Sequence, residues 1–428
     1  MTEDIKKVNQ SDHIDRISDL PINVIDGILQ HLPIRDIVRT SILSRKWRYI
    51  WVSIPHLEFG DEFFDYCYNR DIEHQIPNII SDILLGHNGP ISKFTLKVPC
   101  YFTYRITSLY KWILFLSNKG IKVLVLVNHN QVDSIPSHLF SCQSLTSLKL
   151  DQFNKLSLPH NFCGFKNLLS LHLIHVRIDS NALERLISGC PVLVKLIISH
   201  CVGFDCINVS APSLKVLRIY NEGEIKSIVF KNATNLTDLA LTMSRHINTE
   251  RGSVTDFING LPKIERLHLR EGYIQVLSSG NNLRTLQNST NSLKCLELVG
   301  VDFNRSGELL FIISLLKSSS ILRELVIKSY TVPVVPPSDY LKALYLNSYC
   351  LSHLEKVNIT VGTAYEHAVY LIRFLLASSP SLETLTFKVG LGLNQSDAPT
   401  LLSISRDLLQ FGRASQRAEV KFVYHGLT

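Results

Sequence analysis

The side chains best suited to metal or redox chemistry in this chain are its cysteines and histidines, and their tightest grouping is His200, Cys201 and Cys206. A structural zinc site takes four such ligands, commonly delivered as close pairs. Here a fourth is missing, and none of the nine cysteines forms a C-x-x-C pair with another. The expectation is of reduced, buried thiols, with no metal and no cofactor. Nucleophilic and phosphate-handling signatures are missing as well. The chain has no G-x-S-x-G elbow, H-E-x-x-H helix or G-x-x-x-x-G-K-[ST] loop. A G-x-G at Gly390–Gly392 lacks its third glycine and reads as a loop. An enzymatic role is not expected.

Binding is the chemistry the charged residues offer. Lys149, His172, Arg218, Tyr220, Arg266, His268 and Arg270 each stand between or beside apolar residues two apart. Arginines grouped beside a tyrosine suit an acidic or phosphorylated peptide. The competing reading is that these charges only keep a solvent-facing strand ladder soluble.

That alternation belongs to a repeat. The pattern L-x-x-L-x-L, with Ile, Val or Phe allowed at the apolar places, starts at Ile121, Leu145, Leu168, Leu193, Leu214, Leu236, Ile264, Leu293, Leu322, Leu354 and Leu382, at spacings of 21 to 32 residues. In L-x-L both apolar side chains point to one face of a short strand and the middle one points away. Stacking such units builds a parallel ladder whose returning segments close the core. The fold expected is therefore α/β, a leucine-rich repeat solenoid. Return segments from Val254 onward (VTDFINGL, LLFIISLLKSS, AVYLIRFLLASS) have helical spacing. SNALERLISGC predicts one earlier helix capped by Ser180. Three prolines in Thr331–Tyr340 predict an irregular linker.

Composition sets the outer bounds. The 428 residues are 45% hydrophobic and 19% charged with a net charge of +7, which describes a folded chain with a large core. No basic run suggests a nucleic-acid arm. The polar start MTEDIKKVNQSDH carries no signal-peptide pattern, and no apolar run approaches a membrane span. The expected setting is cytoplasmic or nuclear, with no membrane partner. The scattered Asn-x-Ser/Thr sequons are then a composition effect.

Residues Ile17–Trp51 are apolar beyond what so short a segment can bury on itself. Pro21 can open a helix at no hydrogen-bond cost, with Asp19 as cap. Ile22, Ile25, Ile28, Leu29 and Leu32 form a helical stripe, Pro33 ends it and opens a second helix, and a third is expected from Ser44 with Trp47 and Trp51 one turn apart. Burial within the segment is an even choice for Ile28 and Ile37. Leu20, Pro21, Leu32 and Pro33, at helix ends, are better placed for a partner. Arg35, Arg39, Arg45, Lys46 and Arg48 would suit an acidic partner, with a solvated face as the default.

The ordered elements L-P, V-I-x-x-I-L, L-P and S-R-K-W-R-x-I-W resemble the F-box. Toward the C-terminus, the text from about Tyr349 through LLQFGRASQRAEVKF resembles the FBD domain, most specifically in R-A-S-x-x-A-E. With the repeats, these resemble a large plant family of F-box, leucine-rich repeat and FBD proteins. The resemblance implies a three-helix F-box at 13–53 after a disordered tail (1–12), a linker or cap at 54–90, repeats at 91–340, and an FBD domain at 346–424 that continues the array. It implies docking on a Skp-type adaptor, and through it a cullin, by Leu20, Pro21, Ile25, Leu29, Leu32, Pro33, Ile34 and Val38, with Trp47 matching the pattern's tryptophan. The implied function is the substrate-recognition subunit of an SCF-type ubiquitin ligase acting on an unidentified target protein. The alternative is a repeat scaffold that binds the adaptor or another protein without directing degradation.

Overall fold

The computed structural model describes residues 20–29, 31–45, 47–104, 106–129, 134–220, 225, 227–242, 264–278, 291–330, 350–362, 365–390 and 398–424. The tail, the Asp19 cap, Lys46, VTDFINGL, the proline stretch and most of the G-x-G lie outside these residues. Two compact units divide the chain, residues 1–132 with 136–145, and 133–135 with 146–428.

In the first unit, prolines set both helix starts. Pro21 directly precedes α1 (Ile22–Leu29), and its carbonyl accepts from the N–H groups of Val24 and Ile25. Pro33, with φ −56° and ψ 146°, caps α2 (Ile34–Arg39) and accepts from Asp36 and Ile37. The segment expected as a third α-helix is instead a 3-10 helix, Trp47–Ser53. Residues three apart eclipse in that geometry, so Trp47 and Ile50 turn inward together while Trp51 stays half-buried.

Residues 54–90, expected as a linker or cap, are the start of the ladder. They hold β1 (His56–Phe59), α3 (Asp61–Tyr68) and α4 (Ile76–Gly86). β1 pairs in parallel with β2 (Lys93–Val98), which after α5 (Leu109–Asn118) pairs with β3 (Val123–Asn128). Phe59, Phe64 and Phe94 fill the core beneath. Loop 87–89 is tied back to the end of the 3-10 helix: buried His87 sets Nε2 2.8 Å from the Ile54 carbonyl, and the N–H groups of Asn88 and Gly89 donate to Val52.

The second unit is one parallel ladder of β4 (Ser147–Phe153), β5 (Ser170–Val176), β6 (Lys195–Ser199), β8 (Val216–Tyr220), β10 (Asp238–Thr242), β11 (Arg266–Arg270), β12 (Cys295–Val299), β13 (Glu324–Ser329), β14 (Lys356–Val361), β15 (Thr384–Val389) and β16 (Glu419–Tyr424), in that order. Each carries its repeat's apolar pair inward; Leu171, Leu173, Leu196, Ile198, Leu217 and Ile219 are fully buried. β7 (Cys206–Val209) and β9 (Ser227–Phe230) pair separately as a small parallel sheet. Among the return segments are α6 (Ser180–Ser188), α7 (Glu271–Ser278), α8 (Ser306–Ser318), α9 (Tyr365–Ser378) and α10 (Ala398–Gln410). The cap of α6 is Asp179, not Ser180: its Oδ1 accepts the Ala182 N–H at 2.8 Å, and its φ/ψ are extended as a cap requires.

The R-A-S-x-x-A-E stretch is a fastening for the last strand. Ala414 N–H donates to the Leu376 carbonyl, and the buried Ser415 hydroxyl to that of Leu382 at 2.7 Å. Arg413 Nη1 donates to the Ala418 carbonyl at 3.0 Å, and Glu419 then enters β16.

Candidate functional site

Two surfaces carry the sequence-derived candidates, one in each unit. In the first, α1 has two strips one residue apart around its axis. Ile25 and Leu29 point inward and are completely buried, whereas Val24 and Ile28 point outward at 41% and 44% exposure. Ile22, Leu32, Ile42, Leu43 and Tyr49 are exposed too. Among the described residues, so many exposed large apolar side chains on so short a segment make this a candidate docking surface.

The nine candidates of this region fall into two groups. Pro21 and Leu32 are exposed, and Leu20, Pro33 and Val38 are half-buried. Ile25, Leu29, Ile34 and Trp47 are buried within their own unit. With almost no accessible surface, these four hold the helices, and the other five are the candidates that this chain leaves accessible. Ile28 resolves as exposed and Ile37 as buried. Ile42 and Leu43, which sequence reasoning missed, extend the uncovered surface beyond α2; two adjacent apolar residues outside the helical stripe were the available signal.

The basic residues there are partly engaged. The Arg35 and Arg70 guanidiniums each lie 4.7 Å from the centroid of the Tyr66 ring. Arg35 Nε also donates to Asp36 Oδ1 at 2.9 Å. This cluster lines a cleft of about 1070 Å³ together with Leu32, Pro33 and Phe63. Arg45 and Arg48 remain exposed.

The second surface is the polar face of the ladder. Strand register aligns Lys149, His172, Ile197, Arg218, Ala240, His268, Glu297 and Val326 in one row. Arg266 lies in the row before and Tyr220 and Arg270 in the row after, so the ladder brings Arg218, Tyr220, Arg266, His268 and Arg270 together. Lys149 and His172 lie further along, side by side on β4 and β5. Around Ala240 the wall dips into a cavity of about 360 Å³ bordered by Arg218, Tyr220, Arg266 and His268.

The expected basic patch is here a mosaic. Arg218 Nη2 lies 3.3 Å from Asp238 Oδ2, and Glu297 is shared by His268 Nδ1 and Lys328 Nζ, each at 2.9 Å. Burial works to raise the Glu297 carboxyl, but these two hydrogen bonds outweigh it and hold the group below the ordinary carboxylate range. His172 is depressed by burial and by the neighbouring Lys195 and Lys149. Arg266 and Arg270 extend into solvent. Asp238 escaped the sequence reading, although it occupies an outward place of its own L-x-L unit.

The grouping of His200, Cys201 and Cys206 does not converge. Cys201 is buried with its thiol 3.4 Å from the Leu173 carbonyl, and burial pushes its pKa up to about 11. His200 stacks on His175 at 4.9 Å, and Cys206 lies in β7. Among the described residues no three His, Cys, Asp or Glu side chains are placed to hold a metal ion. No helix among them is long and apolar enough to cross a membrane.

Comparison with known proteins bears on both surfaces. Residues 17–58 match the F-box domain family, and residues 109–327 match the family described as "FBD-associated F-box protein At5g56370, LRR repeats". The F-box/FBD/LRR-repeat protein At1g13570 of Arabidopsis thaliana is 34% identical over 96% of this chain and 98% of its own length. From the same organism, the F-box/LRR-repeat protein At3g26922 is 30% identical over 63% of this chain and 94% of its own. The FBD-associated F-box protein At4g10400 is 28% identical over 74% and 78%.

Proposed function

The chain belongs to the plant F-box/FBD/LRR-repeat protein family, and from that premise we propose that it is the target-recognition subunit of an SCF-type ubiquitin ligase. The observation that carries this reading is the uncovered apolar surface of the F-box. Ile28, Leu32, Ile42 and Leu43 lie in solvent beside a segment whose own core is already filled by Ile25, Leu29, Ile34 and Trp47. A Skp-type adaptor is the partner that would cover it and join the chain to a cullin. In such an assembly this chain contributes no reacting group. It raises the local concentration of a bound target at the site of ubiquitin transfer.

Target recognition falls to the ladder face. Its alternation of Arg218 with Asp238, and of His268 and Lys328 with Glu297, fits a protein segment carrying both acidic and basic side chains. The exposed Arg266 and Arg270 are the positions from which such a segment would be engaged first.

The test is reconstitution with purified adaptor, cullin and a target trapped by proximity labelling with the full chain as bait. Ile28→Glu combined with Leu32→Glu is expected to abolish target ubiquitination while target capture persists, and Arg266→Ala with Arg270→Ala to do the reverse, reducing capture while adaptor binding persists. Ubiquitination that survives the F-box double variant contradicts the reading.

A further inference from the structure

The last rung of the ladder differs from those before it. The Glu419 N–H donates to the Glu383 carbonyl, so Glu419, Lys421 and Val423 direct their backbone groups toward β15. By the two-residue period of a strand, the N–H and C=O groups of Val420 and Phe422 point the other way. No described strand pairs with that edge. On β15 the corresponding groups, those of Leu385 and Phe387, face β16, and both side chains are fully buried; those of Val420 and Phe422 are half-exposed. The neighbouring helix repeats the contrast. In α9, Leu371, Ile372, Leu375 and Leu376 are covered, whereas in α10 Leu402 and Leu409 are 67% and 71% exposed. An open edge of this kind is a template for another strand.

We propose that this edge docks a second copy of the same chain, the two β16 strands pairing antiparallel about a twofold axis at Val420. The charges choose that occupant. Glu419 and Lys421 flank Val420 on one face, and they lie 3.1 Å apart within the strand. A twofold at Val420 sets Glu419 opposite the copy's Lys421 and Lys421 opposite the copy's Glu419, so one short sequence satisfies both sides of an isologous interface. Val420 lies opposite itself with its outward N–H and C=O exchanged across the axis. Phe422 lies opposite Ala418, whose carbonyl Arg413 already engages, so the two Val420 bonds and the facing charges carry the pairing. Because the axis is perpendicular to the sheet, both α10 helices fall on one side of the joined ladder, the side on which Leu402 and Leu409 stand uncovered. None of this involves the F-box, so the proposal stands or falls separately from the ligase reading.

Sedimentation equilibrium of the full-length chain reads the result, with circular dichroism confirming that each variant is folded. The wild type is expected to dimerise. Glu419→Lys and Lys421→Glu each place like charges across the axis twice and are expected to weaken dimerisation about tenfold or more. An equimolar mixture of the two single variants restores both attractive pairs and is expected to form a heterodimer. Val420→Pro removes an outward N–H and none of the N–H groups bonded to β15, so it is expected to abolish dimerisation while β16 stays paired with β15. A monomeric wild type, its edge left for a strand of a different protein, overturns the proposal. Single charge variants that dimerise like the wild type, or a mixture that does not recombine, overturn it too.

Discussion

The F-box and the ladder face present opposite kinds of surface. On the F-box, large apolar side chains such as Ile28, Ile42 and Leu43 are exposed among the described residues. On the ladder, the polar groups largely satisfy one another, as Arg218 does with Asp238 and Glu297 with His268 and Lys328. The first surface is costly to leave bare and draws its free energy from burial. The second is stable in water and, on the proposed reading, would discriminate by exchanging internal ion pairs for equivalent ones with a partner. The two proposed surfaces, one for docking and one for selection, would thus rest on different physics in one chain.

The largest expected effect separates F-box core from F-box surface. Leu29→Ala is expected to destabilise the first unit by about 2–5 kcal/mol, because a fully buried leucine leaves a cavity. Ile28→Ala, one residue away and exposed, is expected to stay within about 0.5 kcal/mol. Denaturant titration of both variants checks this; equal losses would mean that the two strips of α1 are not distinct.

In the second unit, Ser415→Ala removes the buried donor to the Leu382 carbonyl and is expected to cost about 1–3 kcal/mol by the same measurement. A neutral outcome would reduce the R-A-S-x-x-A-E stretch to a sequence marker without a structural task.

A smaller effect is expected with pH, and in the first unit. Burial is the main influence on His87 and lowers its pKa, although its contacts with the Ile54 and Gly89 carbonyls act the other way. As pH falls through about 6.5, the unfolded chain takes up a proton that the folded chain does not. Stability is therefore full above that value and declines below it until the folded group titrates as well. Thermal melts from pH 7.5 to 5.5 should show a decline that His87→Gln diminishes. A decline of equal size in the variant would remove His87 as its source.

The smallest effect belongs to the ladder face. Glu297→Gln is expected to change stability by less than about 1 kcal/mol, since the group and its partners are partly solvated. Its consequence should appear in target capture instead.

Much of this was legible before any coordinates. All eleven repeats read from L-x-x-L-x-L lie where the ladder places them, because inward alternation at fixed spacing has few other structural solutions. Two earlier rungs were not among those eleven, although the second opens the repeat range expected from residue 91. Ile54-x-x-Leu57-x-Phe59 and Ile91-x-x-Phe94-x-Leu96 fit the same pattern and are buried accordingly. The first lies 37 residues before the second, wider than any later spacing, and immediately after the F-box, where a linker was expected. At the functional surfaces residue type was legible but direction was not. A stripe that reads Ile22, Ile25, Ile28, Leu29 and Leu32 gives no sign that Ile25 and Leu29 face inward while Ile28 and Leu32 face solvent. That division depends on which side of α1 the rest of the fold covers, which the stripe itself does not record. The ion pairs that turn the ladder's basic patch into a mosaic depend on cross-strand register, which no single repeat displays.

The most direct test of the central claim is calorimetric titration of a purified Skp-type adaptor into the full-length chain. Wild type is expected to bind, and Ile28→Glu with Leu32→Glu to lose about 100-fold or more in affinity. Arg218→Ala with Arg266→Ala on the ladder is expected to bind the adaptor as wild type does. Equal affinity in all three proteins, or a loss confined to the ladder variant, would contradict the assignment of docking to the uncovered face of the F-box.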